Sequence, residues 1–141
     1  MRLSRLENDW ALAALSAMFP GSVEVGLEGI AAMDVGAYLD DVMRTRPLRA
    51  VLGLRVAIWI AAFGPLLVLG QVATLTRVSQ PDRERVLERL LAHRVYAVRM
   101  LVMLLKAFGA FLYAGDDRVR ARVRPRRARG LVSLRLRGSA R

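Results

Sequence analysis

Few residues in this chain have the type and spacing for chemistry. Asp40 and Asp41 stand side by side, and two carboxylates can act as acid and base, or hold a metal, when both reach one point. On a helix, adjacent residues point in different directions, so the pair reads better as solvated charges or as partners for Arg44 and Arg46. His93 is the single histidine and stands beside Arg94, which favours a capping or surface role over catalysis. With one histidine and no cysteine, multi-histidine and thiolate metal centres, disulfides and thiol nucleophiles are all excluded. Ser16, Ser22, Ser79 and Ser133 stand in no nucleophile motif, and "GLEG" and "AGDD" lack the spacing of a phosphate-binding loop. Trp10, Trp59 and Tyr113 could flank a cofactor, but aromatic residues at helical spacing usually fill a core. The residues therefore predict no catalytic, cofactor-binding or metal-binding group in this chain.

The elements that would position such residues read as helices. The 141 residues suffice for one domain, and their 55% apolar content is mostly Leu, Val and Ala. Ser4 and Glu7 fit an S-x-x-E capping box opening a helix over 4–19, with Leu6, Trp10, Ala13, Ala14, Ala17 and Met18 as its apolar stripe. Residues 20–33 are glycine-rich and read as a loop. Asp34 caps a short helix over about 35–45. Pro47 starts an apolar helix that Gly64-Pro65 kinks or ends before Gly70. After a connector, Ser79 caps a further helix, with Val86, Leu87, Leu90 and Leu91 as its apolar face. Nothing compels a break before Ala114, although a turn near 92–95 is the alternative. Gly115-Asp116-Asp117 ends the run, leaving one short final turn. The prediction is an all-α bundle of four or five helices over 1–123, followed by an irregular tail over 124–141 in which "LVSLRLR" alternates like an edge strand.

The net charge of +11 is unevenly placed. Residues 118–141 hold ten arginines and no acid, so residues 1–117 carry 13 basic and 12 acidic groups, a net of +1. A tail of this kind can sit on anionic lipid or grip phosphates, or remain a solvated extension. Beyond Tyr113 no aromatic residue is interleaved with the arginines, which leaves base stacking unsupported and makes nucleic acid the weakest of these partners. The N-terminus has no signal-peptide core, and Arg2 and Arg5 are not a twin-arginine pair, which predicts a location in the cytoplasm or peripheral to the cytoplasmic membrane.

Two segments approach the length of a bilayer span. "RMLVMLLKAFGAFLYAG" gains roughly 4 kcal/mol on insertion, and Arg99 and Lys106 cost about 2.5 to 3.5 kcal/mol each, which cancels the gain. Residues 50–70 gain roughly 5 kcal/mol with Arg55 able to snorkel, but Pro65 and the small residues Ala57, Ala61, Ala62 and Gly64 weaken a lone span. The later segment therefore reads as a helix packed on several sides, with Arg85, Arg99, Lys106 and Tyr113 on one line at multiples of seven. That line would meet solvent, intramolecular partners, or the carboxylates of another chain.

The order of these features resembles the small helical subunit of gluconate 2-dehydrogenase-type enzymes. It also resembles the helical region preceding the flavin domain in long-chain alcohol oxidases of the glucose-methanol-choline oxidoreductase superfamily. The residues carrying the resemblance are "ALSAMFPG", "VGAYLDDVM", and Leu75, Val78, Ser79, Arg83 and Leu87 followed by Leu112-Tyr113-Ala114. The resemblance implies a non-catalytic accessory subunit, with FAD and the hydride chemistry in a large flavoprotein partner. Exported relatives carry a twin-arginine signal and commonly end soon after the last helix, whereas this chain lacks the signal and continues into arginines. The residues expected to meet the partner are Arg55, Trp59, Arg99, Lys106 and Tyr113. The alternative is a membrane-associated protein anchored by residues 50–70 and the basic tail.

Overall fold

The computed structural model describes residues 2–22, 24 and 26–123. Among these the chain is all-α, with seven α-helices in the order α1 (Arg5–Met18), α2 (Val35–Thr45), α3 (Leu48–Ala62), α4 (Gly64–Leu69), α5 (Gln80–Leu91), α6 (Tyr96–Gly115) and α7 (Asp117–Val123). The five that form the bundle have 14, 11, 15, 12 and 20 residues, and the two short ones follow breaks in the chain. Two 3-10 turns, Ile30–Ala32 and Leu75–Arg77, and one isolated antiparallel bridge between Ser22 and Leu27 shape the connectors. The arginine tail and its alternating "LVSLRLR" lie outside the described residues.

The helices begin where side chains satisfy their first amides. Ser4 Oγ accepts from the Glu7 amide at 3.2 Å, and the Glu7 carboxylate accepts from the Ser4 amide at 2.8 Å, which completes the predicted capping box. Asp34 accepts from the Ala37 amide at 2.9 Å and Ser79 from the Asp82 amide at 3.4 Å. Pro47 and Pro65 stand at the starts of α3 and α4, where a missing N–H breaks no intrahelical bond. Asp116 Oδ1 accepts from the Arg118 amide at 2.8 Å and so starts α7.

The core forms around α1, which packs against α3, α5, α2, α6 and both 3-10 turns, while α3 and α6 pack extensively on each other. Leu15, Ile30, Leu39, Leu54, Ile58, Leu75, Leu90 and Leu105 are fully buried. Two glycines set the helix spacing. A Cβ on Gly64 would lie 2.6 Å from Val86 Cγ1 and 2.9 Å from Leu90 Cδ1, and one on Gly109 would lie 2.6 Å from both Leu15 Cδ2 and Phe19 Cε2. Val86 is β-branched and buried on a helix, where one χ1 rotamer is strongly preferred.

The structure corrects two expectations and decides between the two alternatives left open at residues 92–95. Leu6, placed on the apolar stripe of α1, is 56% exposed, and Glu7 takes the inward position instead. The chain breaks between α5 and α6, where the turn is closed by Ala92 and His93 amides bonding back to Glu88 and Leu90 and by His93 Nδ1 accepting from the Val95 amide at 3.2 Å. That break takes Arg85 off the helical line shared by Arg99, Lys106 and Tyr113. Finally, α6 is packed on one side rather than several. Only Val102, Leu105 and Gly109 are buried along it; Val98, Leu101, Phe108, Leu112 and Tyr113 pack partly against the core, and Tyr96, Met100, Met103 and Phe111 are exposed.

Gly64→Ala is expected to lower stability by about 1 to 3 kcal/mol through overpacking against Val86 and Leu90. Gly36→Ala, where the new methyl meets nothing closer than Asp34 Oδ1 at 3.7 Å, should be neutral or stabilising by about 0.4 to 1 kcal/mol. Urea unfolding of the two variants beside the parent chain measures the contrast.

Candidate docking surface

The most constrained polar group is Glu7, whose side chain is 2% exposed. Its Oε1 accepts from Arg55 Nε at 2.6 Å and from Trp59 Nε1 at 2.9 Å. Its Oε2 accepts from Arg55 Nη2 at 3.0 Å and from the Ser4 amide. Burial by itself raises a carboxyl pKa. Here the hydrogen bonds from Arg55, the Ser4 amide, Trp59 and the Ser4 hydroxyl outweigh it and push Glu7 down from 4.5 to about 2. One carboxylate thus ties the first turn of α1 to the middle of α3, and it fixes the orientation of the Trp59 indole at the surface.

Beyond this anchor, α3 and α4 turn an apolar face outward. Leu52, Val56, Trp59, Phe63 and Leu67 line an open groove of about 630 Å³ together with Ile60 and Arg55. Trp59 packs edge-on to Trp10 with centroids 5.3 Å apart, and Phe63 lies 5.6 Å from Trp10 and 5.8 Å from Trp59. This aromatic trio separates the groove from a second concavity of about 370 Å³, lined by Leu6, Trp10, Phe63, Leu66, Val72, Thr74, Thr76 and Arg77 among others. The Trp10 indole N–H is buried and has no hydrogen-bond partner among the described residues.

The outer side of α6 is a second exposed apolar face, with Tyr96, Met100, Met103 and Phe111 all facing water. Leu104 reaches to 3.3 Å from the point where Gly53 would carry a Cβ, so the two faces meet along the α3–α6 seam.

The five residues expected at a partner interface are thus divided. Arg55 is committed to Glu7, and Trp59 gives its N–H to the same carboxylate while its ring stays 46% exposed. Arg99 lies 5.6 Å from the centroid of the Tyr96 ring. Lys106 is exposed and forms no ion pair among the described residues. Tyr113 points the other way: its hydroxyl donates to the Glu28 carbonyl at 3.2 Å and its ring stacks on Phe19 at 6.0 Å, beside the Arg118–Glu28 ion pair. The structure therefore brings Arg55 and Trp59 together, leaves Arg99 and Lys106 on the open side of α6, and places Tyr113 where it pins the 20–33 connector.

Sequence reasoning missed Glu7 as the inward residue of α1 and Phe63 as a surface aromatic. The spacing of Leu52, Val56, Trp59 and Phe63, alternately four and three, was the available signal for an exposed seam. No group of three or more His, Asp or Glu that could hold a metal occurs among the described residues. No protein-family model matches this chain, and neither a curated protein nor a solved structure similar to it was found.

Because Glu7 holds its proton less tightly when folded, the stabilisation from its pairing is complete above about pH 4.5 and is lost as the pH falls toward about 2. The full shift corresponds to about 3 kcal/mol. Glu7→Gln should flatten the stability profile across that window and lower stability at neutral pH by about 2 to 4 kcal/mol, since Arg55 then loses its counter-charge. Urea unfolding at stepped pH checks both effects.

Proposed function

We propose that this chain is a non-catalytic accessory subunit that binds and stabilises a flavin-dependent alcohol or sugar dehydrogenase or oxidase, with FAD and the reacting groups in the larger partner. The observation that carries the docking part of this reading is the one-sided packing of α6. Of its twenty residues three are buried and several more pack partly against the core, while Tyr96, Met100, Met103 and Phe111 are exposed beside the exposed Lys106 and the half-buried Arg99. A contiguous exposed apolar surface on a small domain marks a place for another molecule, and cations within it select a partner carrying acids. The flavoprotein identity of that partner comes from the resemblance in helix order and in the Leu75–Leu87 segment.

The membrane reading, expected to rest on residues 50–70, moves to another segment, because 50–70 is split between α3 and α4. α6 is long and apolar enough to cross a bilayer, and little of it is buried within the bundle. Against a full span stands Lys106 near its middle, which costs about 2.5 to 3.5 kcal/mol at the bilayer centre. Contact with a bilayer surface would place Arg99 and Lys106 at lipid headgroups.

Co-expression with a flavoprotein oxidoreductase encoded beside it, followed by co-purification, tests the first reading. A stable complex is expected, and Lys106→Glu should weaken it by about tenfold or more while helicity by circular dichroism stays unchanged. A chain that is soluble, monomeric and stable alone and captures no flavoprotein overturns the subunit reading. Retention in the membrane fraction through a high-salt wash supports the second reading, because salt strips a purely electrostatic attachment.

A further inference from the structure

The outer seam of α3 is spaced like half of a coiled coil. Leu52, Val56, Trp59 and Phe63 recur at intervals of four, three and four along α3 and its C-cap, and each is between 36% and 47% exposed. In a soluble helix that spacing normally faces another helix, and here no described element occupies it. The shallow, open α3–α4 groove lies on one side of Phe63 and the second concavity on the other. The charged residues that line the two concavities are Arg55, which is paired with Glu7, and Arg77. From residue 42 to residue 81 the chain carries five arginines and no acid, and Arg77 lines the second concavity without an ion pair among the described residues. Arg49 lies one turn before Leu52, on the same face.

From this we infer that the groove receives an amphipathic helix with acidic flanks, supplied by the partner protein. The inference rests on the subunit reading and specifies its contact. The seam would take the apolar residues of the incoming helix as knobs, and Arg49 and Arg77 would meet carboxylates at its edges. A second copy of this chain is disfavoured because it would set the same arginines against each other, and residues 124–141 are disfavoured because they too are arginine-rich. A bilayer is disfavoured because the one cation lining the groove, Arg55, is held by Glu7 rather than free to reach headgroups.

The test uses the full chain and a synthetic peptide of about three heptads with Leu at the seam positions and Glu at the flanks. Trp59 is half exposed and Trp10 buried, so occupation of the groove is expected to shift the tryptophan emission to the blue. The Glu-flanked peptide should bind at least about tenfold more tightly than a Lys-flanked twin. Val56→Glu and Leu52→Glu, both at exposed positions, should abolish the shift without loss of helicity. Equal binding of the two peptides, no binding of either, or binding that survives both variants overturns the inference. An emission shift seen only with phosphatidylglycerol–phosphatidylcholine vesicles makes the occupant a bilayer, and a dimer that Val56→Glu dissolves makes it a second copy; either result also overturns it. A flavoprotein complex that survives Val56→Glu overturns the groove assignment and leaves the subunit reading standing. If no flavoprotein complex forms at all, that reading fails, and the peptide measurements decide the groove independently.

Discussion

A carboxylate taken out of water must be matched by charge and hydrogen bonds, and Glu7 meets that demand with partners from three places in the chain. Ser4 supplies the cap of α1, Arg55 supplies the counter-charge from α3, and Trp59 supplies an indole N–H one turn further on. The geometry is demanding enough to fix how α1 lies against α3. Once those two helices are set, α6 packs on α3, and α5 reaches α1 and α4 through the close approach at Gly64. The core is otherwise aliphatic, and aliphatic contacts alone are compatible with more than one register. The Glu7 cluster adds a directional polar link between α1 and α3 to these contacts.

The same cluster shapes the surface. By holding Arg55 and the Trp59 N–H, Glu7 turns the indole ring outward beside Phe63 and leaves the α3–α4 groove lined almost wholly by apolar atoms. Along α6 the exposed residues Tyr96, Met100, Met103 and Phe111 surround Lys106, which has no ion pair among the described residues. Tyr113, on the same helix, works inside the fold by pinning the connector at Glu28, so a shared seven-residue register does not imply a shared role.

Much of the fold was legible in the residues. Ser4–Glu7, Asp34 and Ser79 are local signals whose partners lie within one turn, so the starts of α1, α2 and α5 follow from sequence neighbours. Gly64-Pro65 broke the apolar run as expected because proline removes an amide wherever it stands. The turn at 92–95 was ambiguous because it contains neither glycine nor proline, and its stop comes from how α6 must fold back onto α3. The candidate site was less legible. Arg55 and Trp59 could be singled out as unusual residues on an apolar helix, but their partner Glu7 is 48 and 52 positions away and no local pattern joins them.

The sequence by itself determined the all-α class, the caps, the break at Gly64 and the separation of a charge-balanced body from an arginine-rich tail, since each depends on composition or on residues within a turn of one another. The tertiary structure decided that a glutamate rather than Leu6 faces inward, that α6 buries a single side, and that the seam from Leu52 to Phe63 stays open. The physical reason is common to all three. Periodicity states that a helix has an apolar face, whereas whether that face is covered depends on how many other elements reach it, and in this small bundle α1, α3, α5 and α7 leave Tyr96, Met100, Met103 and Phe111 of α6 exposed.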